Sequence, residues 1–200
     1  MLYYNNLFLL KNLYIFVLNY LVMKFLETAI NGVYLIKPLI FEDERGYFFE
    51  TFKENEFNEN IKDISFIQEN ESKSCYGVIR GLHYQKGDDA QSKLVRCVKG
   101  MILDVAVDIR EGSPTFGKHV SAILTEDNHF QLFIPRGFAH GFSVLSDEAI
   151  VQYKCDNYYN KDSEGGINPF DENLGIEWMI PKNKIKLSEK DLKWEKLNMI

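Results

Sequence analysis

Three cysteines in 200 residues, none in a Cys-x-x-Cys spacing, leave no disulfide framework to be read from the chain. Cys75, Cys97 and Cys155 are therefore expected as reduced thiols of a cytoplasmic protein. A basic surplus is also missing. With 23 Lys and Arg against 29 Asp and Glu the net charge is −6, so the footprint that nucleic acid requires is absent and no such partner is expected. An anionic small ligand stays open, provided a few arginines and lysines converge on one pocket. No Gly-x-Gly-x-x-Gly follows any apolar run, which argues against a nicotinamide cofactor. A long apolar run is missing as well. Residues 7–22 (LFLLKNLYIFVLNYLV) are broken by Lys11, Asn12 and Asn19 and fall short of the roughly 18–20 residues a membrane span needs. Neither a basic leader nor a small-x-small cleavage site accompanies them. Translation is therefore expected to start at Met23, with residues 1–22 an upstream extension. A membrane role and an added helix are the two alternatives. Residues 23–200 read as one domain, since no repeat or low-complexity linker divides them.

What the chain does hold is a succession of short apolar runs cut by turn residues. Strands are expected at 33–37, 47–52, 65–69, 78–85, 93–98, 101–109, 119–125, 131–134, 139–145 and 149–155. In the clearest, Met101, Leu103, Val105, Val107 and Ile109 alternate with Ile102, Asp104, Ala106 and Asp108, which predicts an aliphatic core face and a wetter carboxylate face. Lys99-Gly100, Glu111-Gly112-Ser113-Pro114 and Pro135-Arg136-Gly137 supply turns. Strands at this spacing indicate an all-β sandwich or barrel rather than βαβ units. Only 53–60 and the segment after Ser188 read as helical, and both are short.

The chemistry-bearing residues concentrate in 68–93 (QENESKSCYGVIRGLHYQKGDDAQSK). Gln68, Asn70 and Ser72 share one strand face, an arrangement that solvent exposure alone would also explain. Gly77 and Gly81 bracket Arg80 and His83, and a glycine within a strand marks a bulge or a close approach. Three residues apart, Arg80 and His83 face opposite ways on a regular strand, so a bulge near Gly81 is needed to bring both to one pocket. His140 lies in a second glycine-flanked motif, IPRGFAHGF. Two such motifs on a barrel point to a cupin-like double-stranded jelly roll with short peripheral helices. The metal-binding cupin pattern has two closely spaced histidines followed by a glutamate. Here Gln85 stands at the second histidine position, with Asp89 and Ala90 in the glutamate region, so the barrel is read as metal-free. His83 then suits a general base, and Asp191 in LSEKD is a candidate partner to hold its tautomer. A hydrogen-bonded structural histidine is the plainer alternative.

An ordered set of motifs resembles the dTDP-4-dehydrorhamnose 3,5-epimerases: FEDERGYFFE (41–50), QEN (68–70), GVIRGLHYQ (77–85), AQSKLV (90–95), DIREGSPTFG (108–117), IPRGFAHGF (134–142), YKCDNYY (153–159), EGGIN (164–168), IEW (176–178) and LSEKD (187–191). The resemblance implies that His83 is the general base oriented by Asp191, Tyr153 the acid on the opposite face, and Lys93 the cation at the carbonyl oxygen, with Arg80 and His140 in the same pocket. It implies that Arg45, Glu50, Gln68, Asn70, Glu164 and Lys190 hold the nucleotide and its phosphates, and that Tyr159 stacks on thymine. It further implies a dTDP-sugar substrate, no cofactor, and a homodimer that exchanges an N-terminal strand. Lys86-Gly87-Asp88-Asp89 departs from the family's proline-richer loop. Three rival readings stand beside this one: an epimerase acting at a single carbon or on a different 4-keto nucleotide sugar, a sugar-binding jelly roll without catalysis, and a metal-dependent cupin.

Overall fold

Polar and apolar side chains alternate along short extended segments, and two stacked sheets result. The computed structural model describes residues 23–61 and 64–198, so the expectation for residues 1–22 lies outside the described residues. One sheet has the order β1–β2–β10–β7–β12–β5, formed by Lys24–Glu27, Tyr34–Lys37, Gln131–Ile134, Lys93–Lys99, Glu148–Cys155 and Gln68–Cys75. The other has the order β13–β6–β11–β8–β9, from Glu164–Gly166, Ile79–Gln85, Phe138–Val144, Met101–Asp108 and His119–Thr125. Every recorded strand pair is antiparallel. The fold is a cupin-like jelly roll, all-β as expected, with one short helix, α1 (Glu54–Asn60), among the described residues.

Three apolar layers hold it. Val95, Leu132, Ile134 and Val151 from the first sheet meet Ile102, Ala106, Phe138 and Phe142 from the second in the barrel interior. On the outer face of the second sheet, Leu103, Val105 and Val107 are covered by Ile167, Leu174 and Trp178 of the C-terminal segment. Beneath the first sheet, Ile36, Leu94 and Phe133 pack against Phe57 and Ile61 of the α1 region.

The β8 strand corrects one expectation. Its carboxylate face is not the wet side: Asp104 and Asp108 are fully buried. Both faces of this sheet are covered, so alternation there separates barrel interior from C-terminal packing rather than core from solvent. The 65–69 strand also shifts, to Gln68–Cys75. That strand forms the edge of its sheet, and its polar residues carry little apolar signal to mark its limits. β1, β3 (Ile40–Asp43) and β13 lay outside the expected runs. The segment after Ser188 forms only a single 3-10 turn, Asp191–Lys193.

β3 pairs only with β4 (Gly46–Phe49), and this hairpin joins neither main sheet. Tyr47 and Phe49 rest on His129, with ring centroids 4.6 and 4.7 Å away. Phe41 and Phe48 remain exposed, at 52% and 66%.

Candidate active site

The site opens at one mouth of the barrel, where strands of both sheets present polar side chains. A bulge in β6 creates it. His83 pairs with His140 and Arg80 with Phe142, so three steps along β6 match two along β11. Paired residues point the same way, so the extra residue puts Arg80 and His83 on one face, as the glycine pattern predicted.

His83 Nε2 lies 2.6 Å from Asp191 Oδ1. Asp191 arrives from the far end of the chain and is buried, whereas the His83 side chain keeps 31% exposure toward the cavity. Burial alone would raise the Asp191 carboxyl, but the His83 contact and the Ser188 and Gly81 hydrogen bonds outweigh it and hold the group below its usual range. A carboxylate there takes the Nε2 proton of a neutral imidazole and leaves Nδ1 as the basic nitrogen. Among the described residues no protein group hydrogen-bonds Nδ1.

A cavity of about 250 Å³ is lined by Gln68, Asn70, His83, Tyr84, Gln85, Gln91, Lys93, Tyr153, Tyr159 and Glu164. Larger depressions of about 640 and 750 Å³ lie elsewhere, and neither contains His83, Lys93 or Tyr153. Lys93 and Tyr153 come from the first sheet and His83 from the second, so imidazole and phenol enter from different walls. Lys93 Nζ stands 6.0 Å from the Tyr153 ring centroid. Burial lowers the Lys93 ammonium, against the opposing pull of Cys155, Asp104 and Glu164. Burial also raises the Tyr153 phenol, which keeps it protonated and able to donate; Arg80 acts in the reverse direction.

His140 is the cross-strand neighbour of His83, with its Nε2 2.7 Å from Asp104 Oδ1. Burial depresses this imidazole even though Asp104 favours its charged form, and Lys93 and His83 depress it further. A neutral ring held by a carboxylate therefore stands next to His83, outside the cavity lining.

At the rim, Tyr159 donates its hydroxyl to Glu164 Oε2 at 3.2 Å, and its backbone N–H donates to Gln68 Oε1 at 3.1 Å. Gln68 Nε2 in turn donates to Asn70 Oδ1 at 3.1 Å. Lys190 ion-pairs with Glu164. Burial would raise Glu164, yet the Lys190 pair and the Tyr159 hydroxyl hold it down. Tyr159 itself is half open to solvent, at 51%, and offers a ring face to a flat ligand.

Gln85 and Gln91 went unnoticed as site residues because their work is local. Gln85 Oε1 accepts the Asn160 N–H at 2.8 Å, and Gln91 Nε2 donates to Asn157 O at 2.8 Å, which fixes the loop bearing Tyr159. Asp89 belongs to the same anchor: it accepts from Asn160 Nδ2 at 2.7 Å and from the Ser163 hydroxyl. Its carboxylate thus serves the loop where the metal-binding pattern has a ligand. Among the described residues no three His, Cys, Asp or Glu side chains gather as a metal-ligand set.

Arg45, Glu50, Arg80 and His140 were expected at the site but do not line this cavity within the single chain. Arg45 is 85% exposed on the hairpin and hydrogen-bonds Asp43 through Nε at 3.1 Å. Glu50 contacts Lys53 at 3.4 Å. The hairpin pairs with neither main sheet, so among the described residues no strand pairing directs them inward. Arg80 shares the face of His83, but its guanidinium turns to Ser74 Oγ at 2.9 Å, outside the cavity lining.

A base, a protonated phenol and an ammonium around one hollow can move a proton next to a carbonyl while the cation steadies the enolate oxygen. The family model described as dTDP-4-dehydrorhamnose 3,5-epimerase matches residues 27–199. An epimerase of that name from Neisseria gonorrhoeae is 52% identical over 85% of this chain and 51% of its own length, so the chain spans about half of that relative. The Shigella flexneri epimerase is 50% identical over 87% of this chain and 96% of its own. A Legionella pneumophila dTDP-6-deoxy-D-glucose-3,5-epimerase, solved with dTDP-4-keto-L-rhamnose, is 45% identical. It superposes with a TM-score of 0.85 over 89% of this chain and 94% of that one. By fold, site and sequence together, the chain belongs to the dTDP-4-dehydrorhamnose 3,5-epimerase family.

Proposed function

We propose that the chain epimerises carbons 3 and 5 of dTDP-4-dehydro-6-deoxy-D-glucose, giving dTDP-4-dehydro-L-rhamnose for dTDP-rhamnose biosynthesis. The observation that carries this reading is the His83–Asp191 pair at 2.6 Å, open to a cavity that also holds Lys93 and Tyr153. The 4-keto group acidifies both neighbouring C–H bonds. His83 Nδ1 removes a proton from one side, Lys93 stabilises the enolate oxygen, and Tyr153 returns a proton from the other wall. No electrons change hands, so the step needs no redox cofactor. His140, neutral and held by Asp104, backs His83 from the neighbouring strand.

Tyr159 is the platform for the thymine ring, with Gln68, Asn70, Glu164 and Lys190 around it and Arg80 within reach of the phosphates. Arg45 and Glu50 join this set from a second copy of the chain in a homodimer. Their exposure and the uncovered Phe41 and Phe48 beside them support that placement. The three unpaired cysteines suit a reducing compartment, and we place the enzyme in the cytoplasm. Among the described residues no helix is long and apolar enough to cross a membrane.

Incubation with dTDP-4-keto-6-deoxyglucose in deuterated water tests the reading. Label at both carbons 3 and 5, with inversion at each, is expected. Label at one carbon alone would make the chain a single-centre epimerase, and no label would remove the catalytic reading.

A further inference from the structure

Trp194 follows the 3-10 turn that delivers Asp191, and no role in the chemistry above is assigned to it. Its indole lies over Gly166, the β13 residue that pairs with His83. A Cβ on Gly166 would fall 2.2 Å from Trp194 Cε2 and 2.4 Å from both Cδ2 and Nε1. The indole therefore occupies the space that any side chain at position 166 would need. From there it meets the His83 ring edge-on, with centroids 6.5 Å apart and planes at 67°. The Nε1 atom is buried and has no hydrogen-bond partner, so packing, together with the Lys190 ammonium 5.9 Å from the ring centroid, places the ring. Two hydrogen bonds pin the flanking chain: Asn168 N–H donates to the Glu195 carbonyl and Leu197 N–H to the Asp171 side-chain Oδ2, both at 2.8 Å. The other tryptophan, Trp178, is instead buried in the outer layer and donates to Pro169 O at 2.7 Å.

We infer that Trp194 is a positioning residue for the general base, wedged on Gly166 so that the His83 ring and the Asp191 carboxylate keep their mutual geometry. The inference rests on the reading of His83 as base. Asp191 sits three residues before Trp194, on a turn of only three residues. Such a turn has little rigidity of its own, and seating the indole fixes it. With the ring gone, the turn can rotate and water can enter beside the pair, weakening the contact that sets the tautomer. Apart from Lys190 at the start of the turn, substrate is held by residues elsewhere, so the loss falls mainly on turnover.

Kinetics of four variants test this: Trp194→Ala, Trp194→Phe, Gly166→Ala and the Trp194→Ala/Gly166→Ala double. Loss of support around a catalytic group predicts that Trp194→Ala lowers kcat about tenfold with KM inside about twofold. Trp194→Phe, which keeps an aromatic wedge, recovers most of that. Gly166→Ala evicts the indole and reproduces the loss, whereas in the Trp194→Ala background it adds little, because the ring it would strike is gone. Trp194→Leu replaces the alanine variant if the latter does not fold. An unchanged kcat in Trp194→Ala, a loss carried by KM, or additive losses in the double would each overturn the inference. Failure of the underlying reading shows separately, as activity retained by His83→Asn.

Discussion

Gly81 and Gly141 lie backbone against backbone across the β6–β11 pair. A Cβ on Gly81 would sit 2.5 Å from Gly141 Cα and 2.7 Å from the His140 carbonyl oxygen. Gly81 also has φ +126°, where side chains are strongly disfavoured. The contact sits inside the bulge that turns Arg80 and His83 to one face, so the base depends on the absence of two side chains.

Gly81→Ala is therefore expected to lower stability by about 2–4 kcal/mol and to abolish proton exchange, since the clash is with backbone that cannot step aside. Gly112→Ala is the comparison: its φ is +76°, but nothing lies within 4 Å, so only the left-handed penalty of about 1–2 kcal/mol applies. Urea unfolding of both variants measures this. A Gly81→Ala protein as stable as Gly112→Ala would mean that the β6 bulge relaxes freely.

Much of this site was legible beforehand because glycine and histidine are informative in strands. The RGLHYQ and AHGF motifs located the bulge and both histidines, and the ordered motifs brought in Tyr153 and Asp191. Two kinds of information were not legible. Asp104 and Asp108 read as a wet face because alternation reports two unlike surfaces without saying what covers each. Trp194 lies in no motif, and EGGIN names Gly166 without its purpose, since their relation exists only once the C-terminal segment folds back over β13. Arg45 and Glu50 have the reverse character: the motif names them, but their own chain does not bring them to the cavity.

Replacement of Asp191 by Asn removes the charge that holds the His83 tautomer while leaving a group of the same size. A drop in kcat of about 10²-fold with KM nearly unchanged is expected, because a partner behind a catalytic group acts through that group. His83→Asn removes the base itself and is expected to reduce exchange by at least about 10²–10⁴. Steady-state kinetics compare the two. Equal KM and kcat losses in Asp191→Asn would place the carboxylate in substrate binding.

Asp108 gives a pH-dependent stability effect away from the site. It is fully buried, which would raise its pKa. Yet it accepts from Arg110 N, Nε and Nη2 at 3.0, 2.9 and 2.7 Å, and from Ser113 Oγ and Thr115 Oγ1 at 2.7 and 2.5 Å. These bonds hold the carboxyl far below its usual range. A folded pKa below the unfolded one means stabilisation that is complete above the unfolded value and lost as pH falls toward the folded value. Asp108→Asn should thus be about 2–3 kcal/mol less stable at pH 7. The gap to wild type should close by about 1.4 kcal/mol for each pH unit below about 3.9. Urea unfolding at pH 7, 4 and 3 follows the gap, and a constant difference would mean that the charge of Asp108 contributes nothing.

Arg45 decides whether the sites are shared between chains. Its guanidinium is almost fully exposed, and among the described residues its only partner is Asp43, two residues away on the same hairpin. An arginine that neutralises a phosphate in its own chain would be directed at the cavity, and this one is not. If a second copy receives it, then Arg45→Ala and His83→Asn damage different halves of one site. Each variant alone is expected to be nearly inactive, the first through weak substrate binding and the second through loss of the base. Unfolding and refolding them together in equal amounts produces about half mixed dimers, each with one site free of both substitutions. Activity should then return to about a quarter of wild type, the statistical share for a two-fold dimer. Mixing without subunit exchange should give no recovery. A refolded mixture that stays as inactive as its components, although mixed dimers are present by native mass spectrometry, would show that Arg45 serves its own chain.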